Sequence, residues 1–237
     1  CAPGSSITIT GTVVTPGRKN TNDNNYRNQL PVPYAIVYIP ADPDTSKLPT
    51  IFEGVEQGNP ASCGRCSDEK LVIDGQSVLA WAKTDYDGKW TMGGANARIP
   101  RNKAFRIVTK IGKWRGVLEV PATRVTNCAA TVQVNLGTEF TMLPAKQGGL
   151  AGNHLPKIAI STGWIDEMEC VLLNMGFDVS EFALPTDNSK RIHMYRSNGA
   201  YMERTCSGPT SFRNNNNHGC RNNTSGCSWN YPNPDSN

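Results

Sequence analysis

Within the first 140 residues the apolar side chains fall in short runs, several alternating with polar residues, cut off by Gly, Pro, Asn or Asp. After Phe140 they recur with the period of a helix. A period of two buries one face of a strand and cannot form a helical stripe, so this change divides the chain into a β part and a part of mixed structure. Ser6–Val14, SITITGTVV, sets Ile7, Ile9, Gly11 and Val13 against Ser and Thr. Val32–Asp42, VPYAIVYIPAD, reads as a second strand, rich in β-branched and aromatic residues. Between them lies an unpatterned Asn-rich stretch, TPGRKNTNDNNYRNQLP, which reads as a long surface loop, as does Asp42–Glu69.

Three further segments complete the β part. SVLAWAKTDYDGKWTMGG, Ser77–Gly94, reads as a hairpin, with Asp87–Gly88 expected as the two central residues of a tight turn. AFRIVTKIGKWRGVLEVP reads as a strand pair turning at Ile111–Gly112–Lys113. AATVQVNLGTEF alternates Val132, Val134 and Leu136. About seven short strands with turns between them point to a β-sandwich over residues 1–142.

A Gly/Pro-rich stretch, LPAKQGGLAGNHLP, is expected as a linker. KIAISTG is then a continuous apolar strand. WIDEMECVLLNMGF follows with Ile165, Met168, Val171, Leu172 and Met175 on one face. Thr162 is the expected N-cap and Gly176 the stop. RIHMYRS is a further strand. Residues 143–205 thus read as a small strand–helix–strand, or α/β, segment, with Met168, Val171, Leu172 and Met175 expected to be buried. Residues 206–237 form an Asn/Cys-rich tail. The fold class expected is mainly β.

Net charge is +4, from 24 Lys and Arg against 20 Asp and Glu, and no basic run exceeds two residues. A nucleic-acid groove needs a concentrated basic face with aromatics, so nucleic acid is not an expected partner. No apolar run approaches the ~20 residues of a membrane helix. Cys1, followed by small residues, is a lipidation candidate, since mature bacterial lipoproteins begin this way; the plainer reading is a processing or cloning start. Any membrane contact would run through that lipid.

Eight cysteines are many for a reducing compartment and ordinary for a secreted chain. Cys63, Cys66, Cys128, Cys170, Cys206, Cys220 and Cys227 are the disulfide candidates. Cys63-x-x-Cys66 lies in a Gly/Ser/Pro loop rather than at the start of a helix, which weighs against a thioredoxin-type pair. It has no second CxxC, and His154, His193 and His218 stand apart, which weighs against structural zinc. Cys63 and Cys66 are expected to bond to separate partners, because closing so small a ring removes little unfolded-state entropy. Cys128 and Cys170 are best placed by position, and a metal site built from these four remains the competing reading. Asn222, in Asn-Asn-Thr, is a glycosylation candidate.

Other motifs have simpler explanations. Asp85-x-Asp87-Gly88 opens calcium loops, but the rest of such a loop is missing and a turn accounts for every residue. Ser161–Gly163 stands where a strand meets a helix, and capping explains it better than anion binding. Asp166, Glu167 and Glu169 read as first-turn acids rather than a catalytic pair. No catalytic residue, metal or cofactor is assigned.

The segments ITGTVV, VPYAIVYIP and AKTDYDGKWTM resemble the carboxypeptidase regulatory-like domain, a transthyretin-like β-sandwich, over roughly Ser6–Phe140. CGRC, IGKWRGVLEVP, LPKIAISTGWIDEMECVLLNMGFDVSEF and RIHMY together are similar to a group of secreted or surface-associated bacterial proteins joining that sandwich to an α/β segment. The chain leaves that pattern near Ser197. The resemblance implies an accessory, adhesive or scaffold role outside the cell and no catalytic residues. The expectation is an extracytoplasmic binding or structural protein, with a protein or glycan partner on the cell exterior. Two other classes stay open. One is a self-associating subunit of an extracellular filament or sheath; the other is a metal- or redox-dependent enzyme using the central cysteines. Exposed aromatics grouped in one region would favour glycan binding.

Overall fold

The computed structural model describes residues 6–19, 26–27, 29–51, 72–73, 76–94, 97–126, 131–162, 168–196, 203–205 and 228–230. Among these the chain is mainly β, with several sheets, one α-helix and a few 3₁₀ turns. It divides into two compact units, Cys1–Pro156 and Lys157–Asn237.

The first unit holds β1 (Ser6–Thr12), β2 (Arg18–Lys19), β3 (Tyr26–Arg27), β4 (Ile36–Pro40), β5 (Val72–Ile73), β6 (Gln76–Lys83), β7 (Lys89–Gly93), β8 (Phe105–Ile111), β9 (Trp114–Val120) and β10 (Thr131–Asn135). Two sheets carry its core: β10-β1-β7, and β5-β6-β4-β8-β9. β2 and β3 pair with each other inside the stretch expected as an unpatterned loop.

Alternation along β1 sets the first sheet. Ile7 and Ile9 are buried while Thr8 and Thr10 are half-buried. Ile9 stands opposite Met92 on β7 and Val134 on β10, giving one apolar row across three strands. β10 runs parallel to β1, a pairing that needs a long connection and that local pattern cannot reveal. Gly11 faces Trp90, and a Cβ there would sit 2.7 Å from the indole ring. Gly11→Val is therefore expected to cost about 1–3 kcal/mol as the packed ring is displaced, measured by urea unfolding.

In the second sheet β4 is central and buried on both faces, with Val37 and Tyr38 at 0 % exposure. Tyr38 pairs with Val108 and Val108 with Val117, and with Leu48 they form a core cluster against which Ile36, Val78 and Trp81 pack. β8 and β9 form the expected hairpin, closed by Ile111 opposite Trp114, with Gly112 at φ +53° in the two-residue loop.

The stretch 143–156, expected as a linker, packs on this unit. Leu143 and Leu155 are fully buried, and Arg115 and His154 exchange backbone hydrogen bonds of 2.8 and 2.9 Å. The Arg115 guanidinium donates to the carbonyls of Gly152 and Pro49.

The second unit contains β11 (Ile158–Thr162), the helix α1 (Met168–Asn174), β12 (Phe182–Ala183), β13 (Ile192–Arg196), β14 (Glu203–Thr205) and β15 (Ser228–Asn230). β11, β13 and β12 form a parallel sheet in that order, and β14 pairs antiparallel with β15. Thr162, the expected N-cap, is the last residue of β11; residues 163–167, where the helix was expected to begin, lie outside the described residues, and the described helix starts at Met168. The helix ends as expected: Gly176 takes φ +96°, its N–H donates to Leu173, and the Phe177 N–H donates to Leu172, the paired bonds of a glycine C-cap.

Only part of the expected face of α1 turns inward. Leu172 and Met175 are half-buried, as are Glu169 and Leu173, whereas Met168 and Val171 are 50 % and 48 % exposed. At 100° per residue the inward stripe is rotated by roughly a quarter turn from the face read off the apolar residues. The helix packs chiefly on β11, and a two-turn helix on one short strand buries only a narrow stripe of its apolar face. Val171→Ser is accordingly expected to change stability by less than about 0.5 kcal/mol, read from the melting temperature.

Candidate functional site

The candidate site is the corner where the chain passes from the second sheet to the first. The segment Ser77–Gly94 is not one hairpin: β6 pairs with β4 and β5, whereas β7 pairs with β1. A strand pair switching sheets needs a tight, well-anchored turn, and residues 84–89 supply it.

Three features build this turn. Gly88 donates to the Asp85 carbonyl at 3.1 Å, so Tyr86 and Asp87 are the central residues and Gly88 follows at φ +69°. This corrects the expected two-residue Asp87–Gly88 turn; the loop is the three-residue form with glycine in the left-handed position. Secondly, Asp85 Oδ1 accepts from the backbone N–H groups of Asp87 and Lys89, at 2.9 and 2.8 Å. Thirdly, the Gly88 carbonyl accepts from Val13, and the Val13 carbonyl accepts from Val32, tying the turn to two other segments.

Thr84 fixes the neighbouring segment. It is 3 % exposed, its hydroxyl donates to the Val32 carbonyl, and the Ala35 N–H donates to that hydroxyl, both at 2.8 Å. Its backbone N–H donates to Ala35, and its carbonyl accepts from Tyr34. Residues 32–35 are therefore clamped around one side chain. Tyr34, expected in a strand, lies in a turn before β4, with φ +58°. That region is strained for a bulky residue.

The clamp and the turn bring two tyrosines together. Tyr34 and Tyr86 are 50 % and 79 % exposed, with ring centroids 5.3 Å apart and planes at 69°. The Lys83 ammonium lies 5.5 Å from the centre of the Tyr34 ring. The hydrogen bond Tyr34 makes with Tyr86, followed by partial desolvation, raises its phenol above the ordinary value, while Lys83 acts in the opposite direction. Pro31, exposed, lies against Gly88, its Cβ 3.1 Å from where a Cβ would stand on that glycine. The Lys89 ammonium pairs with Asp87 at 3.2 Å.

These contacts also answer the calcium motif. Asp85 holds two backbone donors and Asp87 an ammonium, so both carboxylates serve the turn. Among the described residues no three His, Cys, Asp or Glu side chains converge as metal ligands. His154 Nδ1 lies 2.6 Å from the Lys113 carbonyl, and His193 Nε2 lies 3.1 and 3.2 Å from the carbonyls of Asp187 and Lys190, so both histidines engage the backbone. Cys1, Cys63, Cys66, Cys128, Cys206, Cys220, Cys227 and Asn222 lie outside the described residues, as do Asp166, Glu167 and His218. The backbone of Cys170 lies in α1; its side chain is outside the description. No helix among the described residues is long and apolar enough to cross a membrane.

Neither Tyr34 nor Tyr86 belongs to a motif that marks it in the sequence. The available signal was one aromatic in each of two turn-prone contexts, Val-Pro-Tyr-Ala and Thr-Asp-Tyr-Asp-Gly, where nothing buries a ring. No family model, curated protein or solved structure matches the chain.

Proposed function

We propose that this chain is a non-catalytic binding protein acting outside the cytoplasm, and that the Tyr34–Tyr86 corner is its ligand-contact surface. The carrying observation is the corner itself: two exposed rings side by side, one on a backbone conformation that disfavours it. Tyrosines give a large, rigid, amphipathic contact area at little entropic cost, which is why binding surfaces are rich in them.

On this reading the first unit is a transthyretin-like β-sandwich of the carboxypeptidase regulatory-like kind. Its two sheets and the Thr84–Trp90 corner support that class. The second unit is a small α/β segment, supported by the parallel pairing of β11 with β13 and the intervening α1. The cysteine count supports an oxidising, extracytoplasmic setting and a disulfide-stapled chain.

Intact mass of the protein isolated from its own cells, with and without reduction, tests the setting. Oxidised cysteines with no bound metal are expected. A full set of free thiols, or a metal held by four of them, would contradict it. Tyr86→Ala tests the surface, because a side chain this exposed can be truncated without unfolding the chain; ligand binding is expected to fall while the melting temperature drops by only about 2–4 °C, from loss of the ring pair.

A further inference from the structure

The geometry points to an uncharged polysaccharide as the ligand of the Tyr34–Tyr86 corner, its sugar rings laid on the Tyr86 face with Tyr34 as the second wall. This rests on the binding reading above.

The first support is the choice of residue at position 34. Packing does not require tyrosine there, since half of it faces solvent, and the backbone at φ +58° favours glycine. A tyrosine at such a place points to a use in what the ring and hydroxyl touch from outside. The second is shape. With planes at 69° and centroids 5.3 Å apart, the rings close on each other and leave no slot between parallel aromatics for a prolyl ring. They present instead an outer face and an edge, an open surface suited to a polymer passing across it. Sugar rings offer flat C–H faces for such a surface, and their hydroxyls can bond the phenol tips.

The third support is charge. Within residues 83–89, Lys83 and Lys89 are matched in number by Asp85 and Asp87, and the Lys89 ammonium pairs with Asp87. Asp85 is occupied by the backbone and Asp87 by Lys89. The turn itself therefore offers neither a polyanion nor a polycation a run of complementary charge.

Affinity electrophoresis of the full chain tests this, with hydroxyethylcellulose, barley β-glucan or galactomannan in the gel, against heparin and polygalacturonate, and with a polyproline peptide measured calorimetrically. At least one neutral polymer is expected to retard the protein, with little change between about 0.05 and 0.5 M salt. Tyr86→Ala is expected to weaken binding about tenfold or more, and Tyr86→Phe to retain most of it. Tyr34→Gly is expected to weaken binding while keeping the melting temperature within about 3 °C, since relief of the backbone offsets loss of the ring pair. Binding only to the charged polymers or to polyproline, lost in Tyr86→Ala, would overturn the glycan assignment and leave the corner as the binding surface. Binding of a neutral polymer equally by wild type and Tyr86→Ala would overturn the corner as well. Retention by none of the probes would overturn the glycan assignment outright.

Discussion

Gly88→Val is expected to lower the stability of the first unit by about 3 kcal/mol or more, the sum of two costs. A left-handed φ costs a side-chain-bearing residue about 1–2 kcal/mol, with a β-branched one at the upper end. The steric cost is additional, because a Cβ at this position would stand 2.6 Å from the Val13 carbonyl oxygen and 2.9 Å from the Val32 nitrogen. Both are backbone atoms already joined in a hydrogen-bonded chain with Gly88, so neither can rotate away. Forcing them apart adds about 1–3 kcal/mol, by comparison with overpacked cores. The melting temperature should fall by about 6–12 °C for a unit of this size. Gly88→Ala, with the same Cβ, should show more than half of that fall. An unchanged melting temperature in both variants would contradict the corner as described.

Thr84→Val is expected to cost about 2–4 kcal/mol although it preserves shape, because each buried group left unbonded costs about 1–3 kcal/mol. Removing the hydroxyl strands the Ala35 N–H and the Val32 carbonyl at residues 0 % and 6 % exposed. Thr84→Ser keeps the hydroxyl and deletes one methyl, for about 1 kcal/mol. Urea unfolding of the pair separates the hydrogen bonds from the packing. Equal loss in the two variants would mean the hydroxyl does not hold residues 32–35, and with them Tyr34.

The strands that obey a local rule were legible in the sequence. Ile7 and Ile9 alternate with threonines, and Gly112 marks the β8–β9 turn, because side-chain period and positive φ leave direct traces in residue choice. What no local rule carries was not legible. Pairing of β1 with β10 joins segments far apart in the chain, and their patterns do not say which strand lies beside which. The Ser77–Gly94 segment had the composition of a hairpin, yet its two strands entered different sheets; a turn sequence specifies a reversal of the chain, not the partner of the strand that leaves it. The helix was legible, but its inward face was only partly so, for another reason. An apolar face records what can be buried, and Met168 and Val171 stay half-exposed on a helix that packs chiefly on β11. The candidate site was hidden twice over: Tyr34 had the composition of a strand residue, and an exposed tyrosine in a turn carries no periodic signal at all.

The most direct test is to follow the ring resonances of the seven tyrosines by NMR while a soluble oligosaccharide of the retarding neutral polymer is added. Saturable shifts of Tyr34 and Tyr86, with the other five unmoved and all shifts lost in Tyr86→Ala, are the predicted result. Saturable shifts elsewhere, with Tyr34 and Tyr86 unmoved, would contradict the account.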